Sequence, residues 1–188
     1  MDHSRRGRAV TFVPHEKKTS LIKRSAKKMK QEYPNVADLI REAFSGVTFG
    51  NGVGLWQGQA LDDCADAATI AEHRTRDEKD DWTLLTIEDL NRCHSSLCFF
   101  DAEGMRFHIP AFLLAELEGT LSNGVMFNLT ELSDYHRSQF SALNSAQRTA
   151  IRQFLLIFRD DPEFEFERPS IERALTEYWI EEAQQEIA

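Results

Sequence analysis

The sequence predicts an α+β fold: a small antiparallel sheet, with a hairpin near 95–109 and a further strand near 125–129, flanked by several helices. Three observations lead there. The apolar run Leu97-Cys98-Phe99-Phe100 enters Asp101-Ala102-Glu103-Gly104, a cluster of turn-forming residues. Met105, Phe107 and Ile109 then alternate with Arg106 and His108, the two-residue period of a half-buried strand. Pro110, accommodated in the first turn of a helix, opens a helical pattern over Ala111–Leu117.

The remaining elements follow from caps and breakers. Residues 1–15 carry charge, Gly7 and Pro14 around one short extended patch at Ala9–Val13, and read as a mobile segment. Glu16–Tyr33 reads as a basic helix with a thin apolar stripe of Leu21, Ile22, Ala26 and Met29. Asn35 caps a helix through Phe44, burying Val36, Leu39, Ile40, Ala43 and Phe44. Five glycines between Gly46 and Gly58 form a turn that feeds a helix from Leu55 to about Ala65, followed by a charged one from Ala67 to about Lys79. Their spacing matches neither a P-loop nor a dinucleotide fingerprint. Thr86-Ile-Glu-Asp89 opens a short helix ending near Cys93, and Gly119 closes the helix after the hairpin. Ser122-Asn123-Gly124 turns the chain into a strand at Val125–Leu129. Asn144-Ser-Ala-Gln147 is a capping box for a helix buried along Ile151, Phe154, Leu155 and Phe158 and stopped at Asp160-Asp161-Pro162. A last helix from Pro169 lines up Ile171, Ala174, Leu175, Tyr178 and Trp179, a stripe suited to the core or to a dimer seam.

Charge divides the chain of 188 residues unevenly. Residues 1–35 hold ten Lys or Arg against three acids, whereas the rest hold twelve basic and twenty-eight acidic side chains, a net of −16. The expected organisation is a basic extension over 1–34 and a single acidic domain over 35–188. An acidic body is unsuited to gripping nucleic acid, though the basic tail suits nucleic acid or anionic lipid. No apolar run reaches the roughly 18 residues of a membrane span, and the N-terminal residues lack the apolar core of a secretory signal. Three cysteines without CxxC spacing point to reduced thiols, so a cytoplasmic location is expected.

Beside the basic tail, three groups of residues bear on function. Asp77, Glu78, Asp80, Asp81 and Trp82 offer carboxylates to a partner's Lys and Arg with an aromatic anchor; the plainer reading is a solvated helix end with Trp82 packed inward. Asp101, Glu103, Arg106 and His108 surround the expected hairpin, with Arg106 and His108 on one strand face. They offer an acid–base set, or simple cross-strand charge pairing. Cys93, His94, Cys98 and His108 lack a zinc-ligand spacing, and no metal or cofactor is implied. No Ser-His-Asp, HExxH or GxSxG arrangement is present.

The order Leu55-x₆-Asp62-Asp63, Asp80-Asp81-Trp82, then Phe99-Phe100-Asp101-Ala102-Glu103-Gly104-x-Arg106-Phe107-x-Ile109-Pro110-Ala111-Phe112 resembles a bacterial family known only as a domain of unknown function. Phe140-x₂-Leu143-x₃-Gln147-x₂-Ala150-Ile151-x₂-Phe154-Leu155 matches its closing segment, so the resemblance spans about 36–158. Cys64 stands where such proteins carry an aromatic. Small acidic bacterial domains of this kind are similar to immunity proteins, which neutralise toxins by direct binding. The expected function is therefore a non-enzymatic module that meets a basic protein through an acidic surface around Asp77–Trp82 and Asp101–Glu103, with Arg106 and His108 beside it. The alternatives are a small enzyme using Asp101, Glu103, Arg106 and His108, and a domain tethered to nucleic acid or lipid by its basic tail.

Overall fold

Local capping sets where each helix begins. The computed structural model describes residues 34–180, and the segments expected before Pro34 lie outside the described residues. Among the described residues are nine α-helices: α1 (Pro34–Ala43), α2 (Leu55–Asp62), α3 (Ala67–Arg74), α4 (Ile87–Arg92), α5 (Ala102–Leu117), α6 (Met126–Thr130), α7 (Asp134–Gln139), α8 (Ser145–Asp160) and α9 (Arg168–Glu177). Short 3₁₀ turns stand at Trp82–Leu84, His94–Cys98 and Pro162–Phe164. Thr86 caps α4 and Asn144 caps α8 with both halves of its capping box made, as their sequences predict. No helix among the described residues is long and apolar enough to cross a membrane.

The expected sheet is overturned. The described residues contain no strand, and the fold is helical throughout. Residues 95–109 form a 3₁₀ turn and the first half of α5, and residues 125–129 lead into and build α6. Asp101-Ala-Glu-Gly104 is a helix start: Asp101 Oδ1 accepts the Gly104 N–H at 2.8 Å as an N-cap, and Glu103 sits in the positive first turn. The alternation of Met105, Phe107 and Ile109 misleads because α5 is buried nearly all round; His108, Phe112, Leu113, Ala115 and Leu117 are buried as well. A helix with no solvent face shows no 3.6-residue stripe. On a helix Arg106 and His108 diverge, and Arg106 is half-buried while His108 lies fully inside. Pro110 stands within α5, where it forgoes one backbone bond.

Around α5 pack α1, α7 and the Trp82–Leu84 turn; α8 lies against α1 and α9, and α9 also reaches α6. The turn just after α9, which the sequence predicts as part of the last helix, seals the core. Trp179 is buried against Phe140 at 5.0 Å, and its indole N–H donates to the Leu129 carbonyl at 2.8 Å. Burial of that ring contributes about 3 kcal/mol.

At the far end of α5, Glu116 accepts the Val125 N–H at 3.3 Å, and burial pushes its carboxyl up to about 7. Raised in the folded state above its ordinary 4.5, this group favours folding at low pH and loses that contribution as pH climbs from 4.5 to 7. Glu116→Gln keeps an acceptor for Val125 without titrating. Urea denaturation should show the variant about 1–2 kcal/mol more stable than the parent at pH 8 and equal to it at pH 4. Equal stability at both pH values would show that the carboxylate is solvated.

Candidate functional site

The glycine-rich segment between α1 and α2 is the hub on which both acidic runs converge. The Phe49 N–H donates to the Lys79 carbonyl at 3.1 Å. The Asn51 N–H donates to Glu103 Oε2 at 2.9 Å, and the Val53 N–H to Asp101 Oδ1 at 3.0 Å. Arg74 closes the loop from the other side, donating to the carbonyls of Gly52 at 2.8 Å and Asn51 at 3.2 Å and to Gln57 Oε1. Glycine is needed for two of these approaches: a Cβ on Gly54 would overlap the Asp77 carboxyl, and one on Gly104 would overlap the Val53 carbonyl. Asp77 is buried, accepts the Trp56 N–H at 2.6 Å and so serves the first turn of α2; burial raises its carboxyl above the ordinary range.

The predicted site residues therefore divide by fate. Glu78, Asp80, Asp81, Asp101 and Glu103 reach solvent. Glu78 Oε1 accepts three N–H groups, from Asp80 at 2.9 Å, Lys79 at 3.0 Å and Asp81 at 3.1 Å, and these bonds, led by those of Asp80 and Asp81, hold its carboxyl below the usual range. The Thr83 hydroxyl, at 2.7 Å, and then its N–H, at 2.9 Å, do the same for Asp81. Among the described residues none of the five has a Lys or Arg within ion-pair distance. Trp82 lies inside, 5% exposed, with its indole N–H donating to the Phe44 carbonyl at 2.9 Å. His108 is enclosed by Phe100, stacked at 4.5 Å, and Phe49, edge-on at 5.5 Å; its Nδ1–H donates to the Gly104 carbonyl at 2.7 Å. That imidazole is thus buried away from solvent and makes no hydrogen bond to either carboxylate that binds the loop.

Cysteine chemistry is muted in the core: burial pushes the Cys93 thiol up to about 12. Cys98, expected inside a strand, is exposed, as is Cys64. Among the described residues no three His, Cys, Asp or Glu side chains converge to hold a metal ion.

One surface escapes sequence reasoning. Phe127 on α6 and Tyr135 on α7 are 61% and 53% exposed, and His136 stands edge-on to both at 5.6 Å. Tyr135 is anchored, its hydroxyl donating to the Cys98 carbonyl at 2.7 Å. Burial first, then the neighbouring Cys98 and Asp101, raise its phenol, which places the ring beside the acidic start of α5. Only the Ser133 cap of α7 was available locally as a signal, and it marks the helix rather than the patch.

With this geometry in hand, the family pattern described as a family of unknown function (DUF6714) matches residues 32–183. The chain belongs to that family. The match takes in every helix from α1 to α9, so the DUF6714 domain extends past both ends of the 36–158 resemblance and includes the Trp179 closure. No curated protein matches the chain, and no solved structure does.

Proposed function

We propose that this chain is a non-enzymatic binding module that meets a basic protein through an acidic face, as an immunity protein meets a toxin. The supporting observation is the gathering of Glu78, Asp80, Asp81, Asp101 and Glu103 around one loop, none of them with a Lys or Arg within ion-pair distance among the described residues. Backbone N–H groups already fix Glu78, Asp101 and Glu103, and Thr83 fixes Asp81. Each carboxylate retains accepting capacity, and little side-chain entropy is left to lose on docking. The charges provide steering, while Tyr135 and Phe127 supply the apolar anchor that Trp82, being buried, does not. Rigid aromatics beside carboxylates suit Lys and Arg side chains, which pair with the acids and lie across the rings.

Affinity capture of the full chain from its native host, at about 50 and 300 mM salt, tests this. The expected result is one stoichiometric basic protein that is released as salt rises. Asp80→Asn with Asp81→Asn should slow its association about tenfold at low salt and flatten the salt dependence. An association rate unchanged by the double substitution would remove these carboxylates from the contact.

A further inference from the structure

Within a strongly acidic body, two arginines meet on one tryptophan. Arg76, just after α3, stacks its guanidinium on Trp56 with Cζ 3.6 Å from the ring centroid. Arg92, in the last turn of α4, brings its own Cζ to 5.6 Å from the same ring. These distances keep the two guanidinium carbons within about 9 Å of each other. Both side chains are exposed, and among the described residues neither donates a hydrogen bond or forms an ion pair. Together they present ten N–H donors in two planar forks. Of the acids beside this cluster, Asp77 is buried and accepts the Trp56 N–H, and Asp89 accepts the Thr86 hydroxyl at 2.9 Å. His73 lies edge-on to the same ring at 6.3 Å, its Nδ1 3.3 Å from the Trp56 carbonyl oxygen.

Packing alone accounts for one of these contacts. An arginine stem over a half-buried indole shields the ring and gains roughly 0.5–1 kcal/mol. A second guanidinium on the same ring adds mutual repulsion and leaves a further set of donors with only water to satisfy them. A dianion that accepts from both forks relieves both.

We propose that Arg76 and Arg92, held over Trp56, form a binding site for a phosphate group, carried by a free phosphate monoester or by a phosphorylated side chain. The proposal does not depend on the reading of the acidic face.

Trp56 makes the test direct, because it is half-buried whereas Trp82 and Trp179 are buried, so surface ligands perturb its emission first. The full chain is titrated with inorganic phosphate and, separately, with phosphoserine, at ionic strength held constant with chloride. A saturable change in tryptophan emission is expected, with half-saturation at roughly millimolar phosphate. It should weaken at least tenfold in Arg76→Gln and in Arg92→Gln, and partly in Arg76→Lys, which keeps the charge but loses the fork. Thermal unfolding provides a second readout: phosphate should raise the midpoint of the parent and leave both Gln variants unmoved. Tighter binding of phosphoserine than of phosphate would assign the site to a modified side chain, and equal binding to the phosphate group itself. A response no larger than that to chloride, or one that persists in both Gln variants, overturns the proposal.

Discussion

Replacing Gly54 with Ala should destabilise the fold by about 3 kcal/mol, among the largest effects of any single methyl group in this chain. The added Cβ would overlap the Asp77 carboxyl, and neither side can yield cheaply. Asp77 is buried and bound to the Trp56 N–H at 2.6 Å, so moving it leaves the first turn of α2 without its acceptor. The backbone of residue 54 is fixed as well, since Gly54 is the N-cap of α2 and its N–H donates to Gln57 Oε1 at 3.3 Å. Asp77→Ala alone should cost about 2 kcal/mol by exposing the same amides to an apolar pocket. Because both substitutions break one contact, the double variant should be only slightly worse than Gly54→Ala, a coupling of about 1–2 kcal/mol in a double-mutant cycle. Chemical denaturation of the four proteins measures it. Additive losses would mean that the methyl group and the carboxyl do not compete for the same space.

The same contact explains why the acidic runs were legible as charge but not as structure. Asp77, Asp101 and Glu103 are chemically alike in sequence, yet each binds a backbone N–H 21 to 52 residues away. Such partners leave no local trace. What local sequence does carry is capping and one-sided burial. Accordingly α4 and α8 begin where Thr86 and Asn144 place them, and α8 buries the predicted Ile151, Phe154, Leu155 and Phe158. Those helices keep a wet face, and the contrast between faces is the signal. In α5 that contrast vanishes, because residues from Gly104 to Phe112 are buried with the single exception of Arg106. The alternation it leaves is that of apolar side chains around one arginine and one histidine. Pro110 then suggested a helix start in place of a helix interior. The short α6 fails for a related reason: five residues span little more than one turn, too few to show a period.

His108 carries the other large expectation, and it concerns acid. Burial among Phe49, Phe100 and Phe107 holds this imidazole at about 4, down from 6.5; the Gly104 carbonyl and the Asp101 charge pull the other way and are outweighed. Its Nδ1–H is used by Gly104, and Nε2 has no partner among the described residues, so a proton added there would sit unsolvated in an aromatic cage. The unfolded chain takes up that proton near pH 6.5 and the folded chain only near 4. A histidine with a depressed folded value therefore supports the fold above pH 6.5 and loses that support as pH falls toward 4, about 3 kcal/mol in all. His108→Asn retains an N–H for the Gly104 carbonyl, does not titrate, and leaves a small void. It should be the less stable protein at pH 7.5, but the gap to the parent should narrow by about 2 kcal/mol by pH 5. Glu116 titrates inside this window and Glu78 and Asp81, both held below the usual carboxylate range, below it, but each contributes equally to both proteins. A gap that stays constant from pH 7.5 to 5 would mean that the imidazole titrates normally, and therefore that water reaches it through the start of α5. That result would reopen Asp101, Glu103, Arg106 and His108 as a connected acid–base set, which is why this measurement bears on function as well as on stability.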